Sequence, residues 1–309
     1  MRVLFWGSPE FALLPLEAIL GSVHSVVGVV CQPDRPSGRG RKIAAPAVKR
    51  VAGSHGLLVI QPEIPRGEEF LARLRSLHPD ISVVVAYGHI LRPEVLYLPG
   101  HGSMNLHASL LPAYRGAAPI QRAIAAGESF TGLTVIRMDE GMDTGPVLAW
   151  RRVDIGPQET AGELSRRLSE SGAKLLVEVL DRIAGGEDQA VPQPAQGISY
   201  APKISREEAH IDWTMPADKI TCLIRAFDPE PGAFGLYQGA ELKIFRAMPA
   251  DIRGNKPGEV VGLGRDGLVV SCGDGRAVVV REVQAQGKKR MSAEEYLHGS
   301  RMTSGAVLE

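Results

Sequence analysis

Asn105 and His107 stand two residues apart in Ser103-Met104-Asn105-Leu106-His107-Ala108. The alternation of Met104, Leu106 and Ala108 with these two predicts a strand that carries the amide and the imidazole on one face. A neutral donor beside a titratable ring on a rigid strand is what a site needs to hold a developing oxyanion. Pro112 stops the strand, and a polar loop runs on to Gly116. Carboxylates that can orient such a ring or accept a proton are concentrated in Asp139-Glu140-Gly141-Met142-Asp143-Thr144-Gly145. Taken singly, Asn105 and His107 also read as strand-end groups capping a loop, and Asp143 as a turn residue. Asp139 and Glu140 have no His or Cys beside them, so no metal is predicted.

The elements that must position these groups follow from periodicity. Residues 2–6 are a short apolar run, followed by Gly7-Ser8-Pro9 and helical spacing over 10–20. Ser8 is expected to cap that helix with Pro9 in its first turn. The glycines of the dinucleotide fingerprint are missing, so NAD and FAD are not expected. Strands at 26–31, 57–60 and 80–88 alternate with helices at 48–55 and 68–77, which predicts an α/β, Rossmann-like, mostly parallel sheet. Ligands of such sheets bind beyond the carboxyl ends of the strands. Tyr87-Gly88-His89-Ile90 falls at one such end and 105–115 at another, so the two segments are expected to share a pocket. A helix at 117–126, strands at 131–138 and 147–153, and an amphipathic helix at 160–183 follow.

Between 32 and 42 lies a loop with four cations (Arg35, Arg39, Arg41 and Lys42) against Asp34. Glycines and prolines keep it irregular, and the reading is a basic arm for phosphates. Residues 185–202 hold three prolines and three glycines without periodicity, which marks a linker. Beyond it, after a helix at 215–227, five short strands separated by turn signals predict a small β-barrel. The expected domains are 1–186, a linker at 187–204, and 205–309.

The 309 residues carry 35 basic and 35 acidic side chains, so an anionic partner must be met by a local patch. From 205 to 309 there are 14 Lys or Arg against 15 Asp or Glu, and the barrel needs a one-sided stripe to hold RNA. Three isolated cysteines fit neither a disulfide framework nor a zinc spacing. No apolar run spans a membrane and no basic-then-apolar leader is present, so the expected location is cytoplasmic.

Against these residues the chain resembles the methionyl-tRNA formyltransferase family, the tRNA branch of the enzymes that use 10-formyltetrahydrofolate. The resemblance is carried by Gln32-Pro33-Asp34-Arg35-Pro36 with Gly38-Arg39-Gly40, by 84–88, by Asn105-Leu106-His107 through Ser109-Leu110-Leu111-Pro112 to Gln121, and by Met138-Asp139 to Asp143-Thr144-Gly145. Tyr200-Ala201, Ile211-Asp212-Trp213 and Arg225-Ala226-Phe227 extend it into the second domain. The resemblance implies the formyltransferase fold followed by an OB-like barrel. It also implies transfer of formyl from 10-formyltetrahydrofolate to the amino group of initiator methionyl-tRNA, with Asn105, His107 and Asp143 as the catalytic set. The folate site it implies is assigned to Tyr87, Gly88, Ile90, Ser109, Leu110, Leu111 and Pro112. For tRNA the candidates are Arg39, Arg41, Lys42, Lys288 and Lys289, in a monomeric chain with no membrane partner. Two rivals are a formyltransferase for a sugar-nucleotide amine, which leaves the basic arm without a role, and a non-catalytic RNA-binding module on this scaffold. One departure is Asp228-Pro229-Glu230-Pro231-Gly232, where the family usually has Asn-Pro-Trp-Pro-Gly.

Overall fold

The computed structural model describes residues 1–37, 42–264, 267–300 and 302–309. Arg39 and Arg41 therefore lie outside the described residues. Two compact units are present: Met1–Pro119 with Thr131–Val153 and Ser165–Pro202, and Ile120–Phe130 with Asp154–Leu164 and Lys203–Glu309.

The first part of the chain runs β1 (Arg2–Gly7), α1 (Leu13–Leu20), β2 (Ser25–Val30), β3 (Arg35–Ser37), β4 (Lys42–Ala44), α2 (Ala47–Ser54), β5 (Val59–Ile60), α3 (Glu68–Ser76), β6 (Ile81–Val85), α4 (Pro93–Leu96), β7 (Ser103–His107), α5 (Pro119–Ala126), β8 (Phe130–Arg137), β9 (Val147–Asp154) and α6 (Ala161–Ala184). Seven of these strands form one sheet in the order β5-β2-β1-β6-β7-β8-β9. The pairs from β5 to β7 are parallel and β8 runs antiparallel to β7. Gly7 pairs with Val85 and Val84 with Asn105, so β1, β6 and β7 end along the same edge. β6 is buried at all five positions, as a β-branched run covered on both faces must be. On the same interior face Leu4, Trp6, Val84, Tyr87 and Leu96 pack into one cluster.

Two expectations fail locally. Ser8 does not cap a helix. Pro9 is extended, a 3-10 turn spans Glu10–Ala12, and α1 begins only at Leu13. The Ser8 hydroxyl instead accepts the backbone N–H of Gln32 at 3.0 Å, because the neighbouring strand exit competes for it. The stretch read as irregular also has paired flanks. Arg35 pairs with Ala44 and Pro36 with Ile43 in a two-stranded ribbon, where proline can face away from the ladder.

The second part contains α7 (Ala217–Ala226), β10 (Phe234–Tyr237), β11 (Ala240–Ala250), β12 (Val260–Gly264), β13 (Gly267–Ser271), β14 (Ala277–Ala285), β15 (Met291–Ser292) and α8 (Ala293–Gly299). The antiparallel path is β10-β11-β14-β13-β12, with β15 on β14. Its two edge strands are joined by residues 306–309. The Leu236 N–H donates to the Glu309 carbonyl at 2.7 Å, and the Val260 N–H donates to the Ala306 carbonyl at 2.8 Å. The barrel-like sheet expected from the turn spacing is thus bounded by a segment outside its own strands. α8 begins with Ser292 and Glu295 in a reciprocal capping box, a Ser-x-x-Glu signal legible in the sequence.

All three cysteines are free. Burial pushes the Cys31 thiol up to about 11 and the Cys272 thiol up to about 12, whereas Cys222 is only half-buried. A disulfide reagent at pH 8 is therefore expected to modify one thiol, Cys222, in the native chain and all three after denaturation. Fast native modification of a Cys222→Ser variant would contradict this burial. Among the described residues no helix is long and apolar enough to cross a membrane.

Candidate active site

β7 supplies the first two groups of the site. Met104 and Leu106 are buried on one face, with Leu106 packed against the backbone of α6 at Gly172. That burial fixes the opposite face, where Asn105 is half-buried and His107 is 5% exposed. After the strand the chain turns tightly against β8. The Ser109 hydroxyl donates to the Ala113 carbonyl at 2.6 Å. Thr134 on β8 donates its hydroxyl to the Ser109 carbonyl at 2.7 Å and accepts the Leu111 N–H at 3.1 Å. Gly132 permits this approach: a Cβ there would lie 2.4 Å from the Leu110 side chain.

The loop after β8 brings Asp143 to this pair. Its Oδ1 accepts from Asn105 Nδ2 at 3.4 Å, and its Oδ2 lies 3.6 Å from His107 Nδ1. Oδ2 also accepts the Gly116 N–H at 2.8 Å. Gly116 has φ +120, and a Cβ there would meet the Ala201 carbonyl at 2.8 Å, so only glycine serves. Asp139 is committed elsewhere, accepting from Gly141 N–H and the Thr144 hydroxyl, and shapes the turn that precedes Asp143.

The ring of His107 is fixed on its far side. Nε2 is 2.9 Å from the Tyr114 carbonyl, an acceptor only, so Nε2 carries a hydrogen. Nδ1 then faces the Asp143 carboxylate and Asn105. With a second proton, the ring presents a charged donor on that side, next to the Asn105 amide. Two donors beside a carboxylate, in a largely buried setting, can hold an oxyanion and accept a proton.

The remaining candidates are placed as follows. Tyr87 is 2% exposed, edge-on to Trp6 with ring centroids 5.2 Å apart, and its hydroxyl has no partner among the described residues. Burial pushes that hydroxyl well above its ordinary value. Ser109 and Pro112 are buried, while Leu110 and Leu111 are half-buried. Gly88 is exposed, and Ile90 is 82% exposed on the loop that leaves β6. The strand ends are tied together there, since Gln32 Nε2 donates to the Tyr87 carbonyl at 3.0 Å. Gly88, Ile90, Leu110 and Leu111 are thus the accessible members of the predicted apolar slot. Lys42 opens β4, and Lys288 and Lys289 are exposed in the turn between β14 and β15. Among the described residues no group of three or more His, Cys, Asp or Glu side chains could hold a metal.

Residues with no sequence signal of their own complete the site. Tyr114, Arg115, Gly116, Gln193 and Ser199 form its second layer of hydrogen bonds. Arg115 and Gly116 lie inside the quoted motif, but their type gives no hint of which backbone groups they hold.

Two family profiles match the chain: "Formyl transferase" over residues 1–180 and "Formyl transferase, C-terminal domain" over 203–301. The fold and the site thus define a formyltransferase. Over 308 residues the chain is 48% identical to methionyl-tRNA formyltransferase of Symbiobacterium thermophilum, spanning 99% of this chain and 94% of that protein. The chain belongs to the methionyl-tRNA formyltransferase family. Among solved structures it is similar to methionyl-tRNA formyltransferase from Clostridium thermocellum, with TM-score 0.58 and 16% identity over 92% of this chain and 98% of that one. It is also similar to an N-formyltransferase from Helicobacter canadensis in complex with folinic acid and dTDP-3-aminofucose, with TM-score 0.66 and 19% identity over 92% and 99%. At such identities these likenesses speak for the fold alone.

Proposed function

We propose that Asn105, His107 and Asp143 carry the transfer of formyl from 10-formyltetrahydrofolate to the amino group of methionyl initiator tRNA, giving N-formylmethionyl-tRNA for translation initiation. The transferase activity, its folate co-substrate and its tRNA acceptor follow from the family. The observation that supports the residue assignment is the convergence of Asp143 on Asn105 and His107 across 38 and 36 positions of sequence.

In this reading the amine attacks the formyl carbon, and the carbonyl oxygen takes up the charge. Asn105 Nδ2 and the protonated Nδ1 of His107 donate to that oxygen, each contributing about 3 kcal/mol to the barrier reduction. Asp143 balances the imidazolium and accepts the proton released by the amine, directly or through a water. Collapse breaks the bond between the formyl carbon and the folate nitrogen, and that nitrogen takes the proton back from Asp143, directly or through the same water, so the carboxylate is regenerated. Ile90, Gly88, Leu110 and Leu111 form the slot for the pterin, whose ring faces pack on apolar side chains while its polar edge takes backbone hydrogen bonds; the exposed Ile90 beyond the strand ends supports that placement. Arg39, Arg41 and Lys42, together with Lys288 and Lys289, meet the phosphates of the acceptor. The chain works as a monomer in the cytoplasm.

The test offers 10-formyltetrahydrofolate with a labelled formyl group alongside charged initiator tRNA or a sugar-nucleotide amine. Label is expected on the aminoacyl end of the tRNA only. Efficient labelling of the sugar amine without RNA would overturn this reading.

A further inference from the structure

Asp143 and Tyr114 share an uncommon backbone. Their φ values are +54 and +59, and neither is glycine. Such residues cost about 1–3 kcal/mol each and persist only where the surroundings over-determine them. Asp143 carries the carboxylate of the site, and Tyr114 carries the carbonyl that orients His107. Each is gripped by a side chain from the proline-rich segment that follows α6.

Gln193 Nε2 donates to the carbonyls of Asp143 and Gly145, both at 2.8 Å. Its own Oε1 accepts from Arg115 Nη2 at 2.6 Å, so the amide cannot be flipped without losing all three bonds. Arg115 is 8% exposed, so this bond is sheltered from water. The Ser199 hydroxyl accepts the Tyr114 N–H at 2.9 Å.

The segment is pinned at both ends. Val191 exchanges two backbone bonds with Val147, at 2.7 and 2.8 Å. At the other end the Arg115 N–H donates to the Ser199 carbonyl at 2.9 Å, and the Ala201 N–H donates to the Arg115 carbonyl at 2.7 Å. A stretch pinned in this way can transmit a fixed position to what it holds between the pins.

We propose that residues 191–201 act as a positioning strap for formyl transfer, in which Gln193 sets the backbone of Asp143 and Ser199 sets that of Tyr114 and thereby the ring of His107. The proposal rests on the assignment of Asp143 and His107 to the chemistry. Neither Gln193 nor Ser199 touches the reacting atoms. Their effect is geometric, and misplacement of a reacting group by about 1 Å costs on the order of 100-fold.

Three variants test it. Gln193→Glu keeps the length and the acceptor for Arg115 but removes both donors. Ser199→Ala removes the acceptor for Tyr114, and Ser199→Thr keeps it. Steady-state formylation of charged initiator tRNA is expected to show kcat about 10- to 100-fold lower for Gln193→Glu and Ser199→Ala, with KM for both substrates within about twofold. Ser199→Thr restores kcat to within about threefold of wild type. A wild-type kcat in folded Gln193→Glu, or a loss that appears in KM instead, overturns the proposal. If Gln193→Glu fails to fold, the two Ser199 variants decide alone: equal kcat in Ala and Thr overturns it. Asp143→Asn is run beside them. If it is fully active, the reading of the site fails; if it is inactive while Gln193→Glu is normal, only the strap fails.

Discussion

Asp143→Asn is expected to lower kcat by about 10²- to 10⁴-fold, the range for removing a positioned general acid or base. The substitution conserves shape. Asparagine tolerates the φ of +54 at this position as well as aspartate does, and its side-chain oxygen still accepts the Gly116 N–H. The carbonyl that Gln193 holds is backbone and is untouched. What disappears is the negative charge. An amide cannot accept the proton of the attacking amine, and it does not balance the imidazolium of His107, 3.6 Å away. Both losses fall on the transition state, so kcat and kcat/KM decline together while KM for either substrate stays near wild type. The far-ultraviolet circular dichroism should be unchanged. Steady-state formylation at saturating folate and charged tRNA reads the effect, and a kcat within about tenfold of wild type would remove Asp143 from the reaction.

Alternation alone placed Asn105 and His107 on one strand face, because a buried strand leaves only two faces to choose from. The apolar run of β6 and the turn-separated strands β10 to β14 were legible for similar reasons, since periodicity and turn chemistry are local. Asp143 was not legible in that way. Three carboxylates share its loop, and their division into a turn-former, Asp139, and the one that reaches Asn105 and His107, Asp143, is decided by where Thr144 and Gly116 fall in space. The resemblance to a family, rather than any spacing rule, selected it.

What composition does not show is where residues 191–201 send their hydrogen bonds. Residues 191–201 have no period because they form neither helix nor ladder of their own, and their hydrogen bonds go one by one to distant backbone groups. Proline and glycine content then reads as a linker. Ser8 failed for the complementary reason. Its local signal for a cap was sound, but the N–H of Gln32, brought in by the sheet, took the hydroxyl. Both cases are tertiary hydrogen bonds overriding a local preference, and both lie at the carboxyl edge of the sheet.

Asp228→Ala is expected to destabilise the chain by about 3 kcal/mol, at the low end of the 3–5 kcal/mol for breaking a buried ion pair. Asp228 is 4% exposed, and its carboxylate accepts from Arg290 Nη1 at 2.7 Å and Nη2 at 3.0 Å. The same guanidinium binds Glu282 through Nε and lies 4.0 Å over the ring of Phe245. Alanine leaves that guanidinium held in place with Glu282 as its one remaining acid, and the cost is the half-compensated charge rather than the lost contact. The Arg290 side chain is 30% exposed, so water relieves part of the penalty, which is the reason for the lower figure. The position gains interest from the family pattern, which usually has asparagine where this chain has Asp228. Asp228→Asn keeps an acceptor for one arm of the fork and is expected to cost about 1–2 kcal/mol, the difference between a charged and a neutral hydrogen bond. Glu230, where the family usually has tryptophan, is exposed, so the acid there needs no such partner. Urea midpoints with unchanged slopes would measure both costs. If Asp228→Ala and Asp228→Asn cost the same, or if Arg290→Ala fully restores the stability lost in Asp228→Ala, the stated origin is decided between them: the first outcome refutes it, and the second isolates the half-compensated guanidinium as the whole of the loss.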